Sequence, residues 1–171
     1  MIISSSMYGK WLSNLVSKRA LATEVVAPIA YEDDELSPVR VHLRGSLQIR
    51  HIDAGSCNGC ELEITSIFSP VYDAEQYGIR LVASPRHADA ALITGPVTKN
   101  MIGPLTTTVA ALAVPSVVIA LGDCARNCGV FAGAYAVEGS VTDVTRVTLE
   151  IPGCPPAPKD IVAALRRLSG S

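Results

Sequence analysis

The sequence predicts an α/β fold in which an open parallel sheet carries helices on both faces. Short runs rich in apolar and β-branched residues alternate along the chain with segments of helical pattern. Two of these runs, 90–94 and 116–121, are apolar at nearly every position, as expected for strands covered on both faces. At 171 residues, of which 49% are hydrophobic, the chain is long enough to bury one substantial core.

The first 26 residues carry the pattern of an amphipathic helix, because apolar residues recur at helical spacing. These are Tyr8, Trp11, Leu12, Leu15 and Val16. Such a helix either packs on its own domain or docks on a membrane surface or a partner protein. A linker with an acidic run follows at about 27–38, so we expect a helix-and-linker unit over 1–38 and the main domain over 39–171.

The main domain is predicted to alternate strands and helices from its first strand to its last helix. The predicted strands are 47–52, 79–83, 90–94, 116–121 and 147–151, and the predicted helices are 61–68, 104–112 and 158–168.

Composition excludes several classes of protein. The net charge is −2 and no basic patch with interleaved aromatic residues occurs, so we expect no nucleic-acid binding. Five cysteines, an odd number, do not suggest a disulfide framework, and no apolar stretch is typical of a signal peptide or a membrane span. We expect a reducing, cytoplasmic setting. Charged residues make up only 18% of the chain, which indicates a subunit that buries surface against partners.

The cysteines are the candidate functional residues. Cys57 and Cys60 form a C-x-x-C pair after the first strand, and Cys124, Cys128 and Cys154 follow later in the chain. Ligands gather at the carboxyl ends of the strands in an open parallel sheet, and three strand ends deliver these cysteines to one edge. Four thiolates there would hold an iron–sulfur cluster or a structural zinc ion. Zinc usually takes two close pairs, so the singly scattered ligands favour a cubane cluster without excluding zinc.

Residues around the thiols are predicted to adjust their chemistry. Gly55 and Gly59 would let the backbone bend closely around a cofactor. The positive N-terminal end of the helix that begins after Cys60 would favour its thiolate. Glu61 either complements that helix dipole or transfers protons.

Four further residues are predicted to lie at or near the same edge of the sheet. Arg86 and His87 follow a strand and would either raise the potential of a cluster or serve structure or an interface. Asp53 and Asp123 are candidates to surround the site at its periphery.

Four motifs in order resemble one protein family closely. They are CNGCELEI at 57–64, SPRHAD at 84–89, GDC at 122–124 and IPGCPP at 151–156. The chain resembles, over about 47–168, the small subunit of membrane-associated energy-converting nickel–iron hydrogenases of the formate hydrogenlyase type, a family that includes a subunit of respiratory complex I.

The resemblance implies a flavodoxin-like fold and one [4Fe–4S] cluster held by Cys57, Cys60, Cys124 and Cys154. In complex I the first two ligands are adjacent, so two intervening residues favour the hydrogenase branch. The implied partners are a large nickel–iron catalytic subunit, a ferredoxin-like iron–sulfur subunit and membrane-arm subunits reached through the N-terminal helix. The implied location is the cytoplasmic side of the membrane, as a peripheral subunit.

The implied function is electron relay within an oxidoreductase, without a substrate site of the subunit's own. The alternatives are a complex I-like quinone reductase subunit, a relay in a hydrogenase-like complex that lacks nickel, and a zinc-stabilised assembly protein. Cys128 stands where the family usually has glycine. We expect Cys128 to lie close to the cluster without ligating it and to affect the redox behaviour of the cluster.

Overall fold

The computed structural model describes residues 43–171. The predicted N-terminal helix and acidic linker lie outside the described residues, and the boundary at residue 38 stays a prediction. The strands are β1 (Leu47–Asp53), β2 (Ile79–Leu81), β3 (Ala90–Thr94), β4 (Val97–Thr98), β5 (Val117–Leu121), β6 (Val137–Gly139) and β7 (Leu149–Ile151). The helices are α1 (Gly59–Ile67), α2 (Ile102–Ala110), α3 (Asp123–Asn127), α4 (Val141–Val144) and α5 (Pro158–Ser169), with 3₁₀ turns at Ala74–Tyr77, Pro85–His87 and Gly129–Phe131.

Five strands form a parallel sheet in the order β2-β1-β3-β5-β7. With its five strands numbered in sequence this is the order 2-1-3-4-5, which is the flavodoxin-like arrangement. The small strands β4 and β6 pair antiparallel beside it. The predicted fold class is confirmed.

Two hydrophobic cores cover the two faces of the sheet. Alternate residues of β3 and β5 point to opposite faces, so Leu92 and Ile119 lie in one core while Ile93 and Ala120 lie in the other. The first core is closed by α1 and α5, and the second by α2, α3 and α4. All five residues of each of these two strands are buried, which explains their continuous apolar composition.

Most predicted elements match the structure within two residues at each end. The strand 90–94 agrees at both ends, and the predicted helix 158–168 extends by one residue. The predicted helix 61–68 begins two residues earlier, at Gly59, and the strand predicted from 147 begins at Leu149. Strands β4 and β6 and helices α3 and α4 were missed, because each is too short to show a hydrophobic period.

Within residues 43–171, no helix combines the length and the apolar composition that crossing a membrane requires.

Candidate functional site

Three loops bring four cysteines to the carboxyl ends of the sheet. Cys57 lies in the loop after β1 and Cys60 in the first turn of α1. Cys124 lies in α3, which follows β5, and Cys154 lies in the loop between β7 and α5. We call Cys57, Cys60, Cys124 and Cys154 the four-thiol set.

The loop from β1 to α1 is held by local hydrogen bonds. The Asp53 carboxylate accepts from the backbone N–H groups of Gly55 at 2.8 Å and Ser56 at 2.7 Å. Asn58 then turns the chain with a left-handed φ of 71°, and its N–H donates to the Ser56 hydroxyl at 3.1 Å. Asp53 therefore fixes the loop that carries Cys57. Its pKa is lowered because these two N–H bonds outweigh the opposing effect of burial.

Asp123 ties the loop of Cys124 to the loop of Cys154. Its N–H donates to the Gly153 carbonyl at 2.8 Å, and the Gly153 N–H donates back to the Asp123 carboxylate at 3.1 Å. Arg126 extends the link, donating to Asp123 at 3.2 Å and to Glu150 at 2.9 Å. This clamp fixes two loops of the four-thiol set relative to each other.

Glycines lie directly against three of the sulfurs. A Cβ at Gly122 would stand 2.7 Å from the Cys60 sulfur, and one at Gly129 would stand 3.1 Å from the Cys124 sulfur. A Cβ at Gly59 would lie 3.6 Å from the Cys57 sulfur and 3.9 Å from Pro155. At these three positions the backbone lies close to a sulfur, because glycine has no side chain to hold the two apart. Gly55 was predicted to let the backbone bend around a cofactor. A Cβ added there would instead meet the Thr98 side chain, and not a thiol.

The thiols are close enough to influence one another electrostatically. Burial raises the pKa of Cys60 to about 12, helped by the charges of Glu61 and of the other three members of the four-thiol set. Burial likewise raises the pKa of Cys124, with contributions from Cys154 and Cys57. Burial and neighbouring negative charges therefore act against the Cys60 thiolate, and a contribution of the helix N-terminus in its favour stays a prediction.

One side of the four-thiol set is open. Cys57 and Cys154 are exposed, Cys60 is half-buried, and Cys124 is only 8% exposed. A group bound there would contact the protein on its inner side and present its outer side to solvent or to a partner.

The set offers soft sulfur ligands whose negative charges repel one another, so a cationic metal core would relieve that repulsion. Among residues 43–171, no three His, Cys, Asp or Glu side chains are grouped tightly enough to hold a single metal ion. A single zinc ion draws all four sulfurs to about 2.3 Å from one centre, whereas a polynuclear cluster spreads its cysteine ligands over several iron atoms. The donor chemistry and the glycine contacts fit an iron–sulfur cluster.

A polar cluster lies beside Cys60 on the α1 side of the sheet. The buried Thr94 hydroxyl donates a short hydrogen bond to Glu61, and His51 Nε2 lies 2.9 Å from the Thr94 oxygen and 3.5 Å from the Glu61 carboxylate. Burial lowers the pKa of His51 against the opposing charges of Glu61 and Asp53. Glu61 therefore points into the fold and has fixed partners, which its position at the start of a helix did not reveal.

The remaining predicted site residues lie elsewhere. Arg86 and His87 are exposed in the 3₁₀ turn that leads into the start of β3, and Asp89 ties this connection to the amino-terminal half of β1 through the Gln48 N–H at 2.8 Å. The thiols follow the opposite ends of the strands, so an influence of these two residues on a cluster stays a prediction.

Cys128 lies one helical turn beyond Cys124, to whose carbonyl its N–H donates at 3.0 Å. Its φ is 65°, a left-handed conformation that glycine adopts more readily. Burial raises its pKa, and the contributing charge comes from Asp143. A redox role for Cys128 stays a prediction.

Sequence reasoning missed His51 and Gly122 as members of the site. A polar residue on the face of β1 that also carries Leu47 and Ile49 was the available signal for His51, and the position directly before Asp123-Cys124 was the signal for Gly122.

Comparisons with known proteins agree with this geometry. A family model described as "NADH ubiquinone oxidoreductase, 20 Kd subunit" matches residues 57–168, a range that contains the whole four-thiol set. Formate hydrogenlyase subunit 7 of Escherichia coli K12 is 37% identical over 151 residues, which cover 86% of this chain and 58% of that protein. The chain therefore spans less than two thirds of that relative.

Two further relatives extend the comparison to archaea. The probable membrane-bound hydrogenase subunit mbhJ of Pyrococcus furiosus is 40% identical over 123 residues, covering 70% of this chain and 74% of that protein. A chain in the structure of the membrane-bound sulfane sulfur reductase, an archaeal respiratory membrane complex, superposes with a TM-score of 0.66 at 29% identity, covering 80% of this chain and 75% of that one.

Proposed function

Because this chain belongs to the family of the 20 kDa subunit of NADH–ubiquinone oxidoreductase, we propose that it is an electron-relay subunit of a hydrogenase-like oxidoreductase complex. We further propose that it holds one [4Fe–4S] cluster through Cys57, Cys60, Cys124 and Cys154. The subunit itself has no substrate-converting site in this proposal.

The observation that carries the proposal is the convergence of four thiols from three strand ends. The other three thiols act electrostatically on Cys60, and the segment matched by the family model contains all four. The ligands outside the C-x-x-C pair are scattered singly along the chain, which favours a cluster over the zinc alternative.

A bound [4Fe–4S] cluster supplies reversible one-electron transfer. The protein's own residues would hold the cluster and shape the site around it. The clamp between Asp123 and Gly153 fixes two of the ligand loops, and the small surface of Gly122 leaves room for the Cys60 sulfur. The exposed thiols Cys57 and Cys154 place the open side of the site where a partner subunit can approach.

The identity of the ligands is tested by iron content and spectroscopy. The anaerobically purified protein is expected to contain four irons and four sulfides per chain and to give the EPR signal of a reduced [4Fe–4S] cluster. Replacing Cys57 or Cys154 by serine should remove or alter the cluster, whereas Cys128→Ser should retain it. A colourless protein with one zinc per chain, or equal loss in Cys128→Ser, would overturn the assignment.

The proposed partners are a large nickel–iron subunit and a ferredoxin-like iron–sulfur subunit, in line with the names of the hydrogenase relatives. Likeness to a chain of the sulfane sulfur reductase supports a second candidate, a related complex that lacks nickel and acts on another substrate. The family name keeps a complex I-like quinone reductase as a third candidate.

Nickel content and hydrogen chemistry separate these candidates. The complex would be isolated through an affinity tag on this subunit, and its nickel would be measured together with hydrogen evolution from a reduced viologen dye. Nickel with hydrogen evolution supports the hydrogenase. A nickel-free complex without hydrogen evolution supports one of the alternatives, which reduction of polysulfide or of a quinone then distinguishes.

We also propose that the complex is peripheral on the cytoplasmic side of the membrane and that the predicted helix within residues 1–26 contributes to docking. Deleting 1–26 should release the complex from membranes and leave the cluster spectrum intact. Unchanged membrane association would refute this role of the segment.

A further inference from the structure

The polar cluster of His51, Thr94 and Glu61 brings a carboxylate to the α1 side of the sheet, next to the four-thiol set. His51 lies on β1, Thr94 ends the adjacent strand β3, and Glu61 lies in the first turn of α1. Glu61 follows Cys60 directly in the chain, and its side chain is only 17% exposed. A charge at this place therefore acts on the Cys60 sulfur through a medium that screens less than water.

The hydrogen bonds of this cluster run in one direction. Thr94 has a single hydroxyl proton, which it donates to the Glu61 carboxylate. The contact of 2.9 Å between His51 Nε2 and the Thr94 oxygen then requires Nε2 to donate, which fixes the proton of a neutral His51 on Nε2. Two donors in series thus hold one oxygen of Glu61.

The charge of Glu61 is weakly compensated. Its second carboxylate oxygen is buried without a hydrogen-bond partner in the described part of the chain. Among residues 43–171, His51 is the one basic side chain within ion-pair distance of Glu61, and burial lowers its pKa, which favours its neutral form. A positioned carboxylate without a strong counter-ion is electrostatically costly, and such groups recur at functional sites.

We propose that Thr94 and His51 are positioning residues that hold Glu61 as a fixed negative charge beside Cys60, and that this charge lowers the reduction potential of the bound cluster. The inference rests on the proposed function, since it requires the cluster. Reduction adds an electron at the site, and a nearby negative charge disfavours that electron, so the oxidised form is stabilised. Glu61 is thereby assigned a role in setting the potential rather than in completing a helix terminus.

The test is an EPR-monitored redox titration of the complex isolated with this subunit. Glu61→Gln keeps the size of the side chain and removes its charge, and it should shift the midpoint potential upward. Glu75→Gln is the matched control. Glu75 is exposed in the 3₁₀ turn Ala74–Tyr77 and lies beside Thr65 and Phe68, near the end of α1 that is remote from Cys60. It should leave the potential unchanged.

A double-mutant cycle tests the positioning role. Thr94→Val removes the hydroxyl and should change the potential in the wild-type background, while Thr94→Ser should restore the wild-type value. In the Glu61→Gln background, Thr94→Val should have no further effect, because the charge it positions is gone. If Glu61→Gln fails to retain the cluster, the midpoint potentials of Thr94→Val and Thr94→Ser still test whether the Thr94 hydroxyl positions Glu61.

Two results would overturn the inference. One is an equal shift in Glu61→Gln and Glu75→Gln, and the other is a Thr94→Val shift of the same size in both backgrounds. Iron and sulfide contents near four per chain in every variant show that the proposed function stands even if this inference fails. Absence of the cluster from the wild-type protein would instead defeat the proposed function.

Discussion

Replacing Gly122 by alanine should disturb the candidate site both through the backbone and through a contact with the Cys60 sulfur. Gly122 joins β5 to α3 with φ 87° and ψ 161°, a region of backbone conformation that is essentially reserved for glycine. Forcing another residue into it costs about 1–3 kcal/mol of unfolding free energy. The new Cβ would also stand 2.7 Å from the Cys60 sulfur and 3.4 Å from the Gly153 carbonyl oxygen.

The contact with the sulfur gives the effect its specificity. A distance of 2.7 Å is shorter by about 0.7 Å than the 3.4 Å at which ordinary contact begins, so the Cys60 side chain must move. Cluster ligation depends on the direction of each sulfur, and a shift of this size at one ligand should lower the iron bound per chain. The assays are urea unfolding of the metal-free protein and iron and sulfide analysis after anaerobic reconstitution.

Two other glycines separate backbone strain from the sulfur contact. Gly133 has φ 79° and nothing within 4 Å of an added Cβ, so Gly133→Ala should lose stability through conformation alone and keep its cluster. Gly103, in the first turn of α2, also has open space around an added Cβ, so Gly103→Ala should keep its cluster as well. The reasoning would be refuted if Gly122→Ala retained full iron content and an unchanged EPR spectrum.

Four other predictions concern stability and are measured by urea unfolding of the metal-free protein. Asp123→Ala should cost about 1–3 kcal/mol, because it leaves the Gly153 N–H without its acceptor. Arg126→Ala should lower the free energy of unfolding by less than about 1 kcal/mol, since its ion pairs lie near the surface. Equal losses in Asp123→Ala and Arg126→Ala would contradict the role given to Asp123 in the clamp. Cys128→Gly should gain about 1 kcal/mol, because it relieves a left-handed φ of 65°; a loss would contradict this account. The folded-state pKa of His51 lies below its ordinary 6.5, so the unfolded chain binds the proton more tightly. Stability should therefore fall as the pH drops below 6.5 toward the folded-state pKa, and His51→Gln should flatten this part of the profile.

The sheet and the position of the thiols were predictable from the sequence for physical reasons. Strands β3 and β5 are buried on both faces, so their apolar runs stand out from the rest of the chain. Parallel strands end at a common edge, so cysteines that follow separate strands were expected to converge. The helices α3 and α4 left no such pattern, because five and four residues are too few to repeat a helical period.

The interactions that depend on register could not be predicted. Thr94 reaches Glu61 because β3 pairs with β1 in a register that sets Thr94 opposite Asp53. The sequence of a single strand does not reveal which strand it pairs with or in which register. The raised pKa of Cys60 was not predicted for a similar reason. The helix terminus is visible in the local sequence, whereas the burial of Cys60 and the charges of Cys124 and Cys154 depend on distant segments.

The strand order also determines when in folding the thiol set can exist. Cys154 follows β7, which is the last strand of the sheet and pairs only with β5 among the described strands. A sheet in which β7 has not yet joined β5 carries three of the thiols and lacks the fourth. Completion of the set therefore coincides with closure of the sheet. Metal delivered at that moment meets a chain that has already folded, and a partly folded chain offers it no complete site.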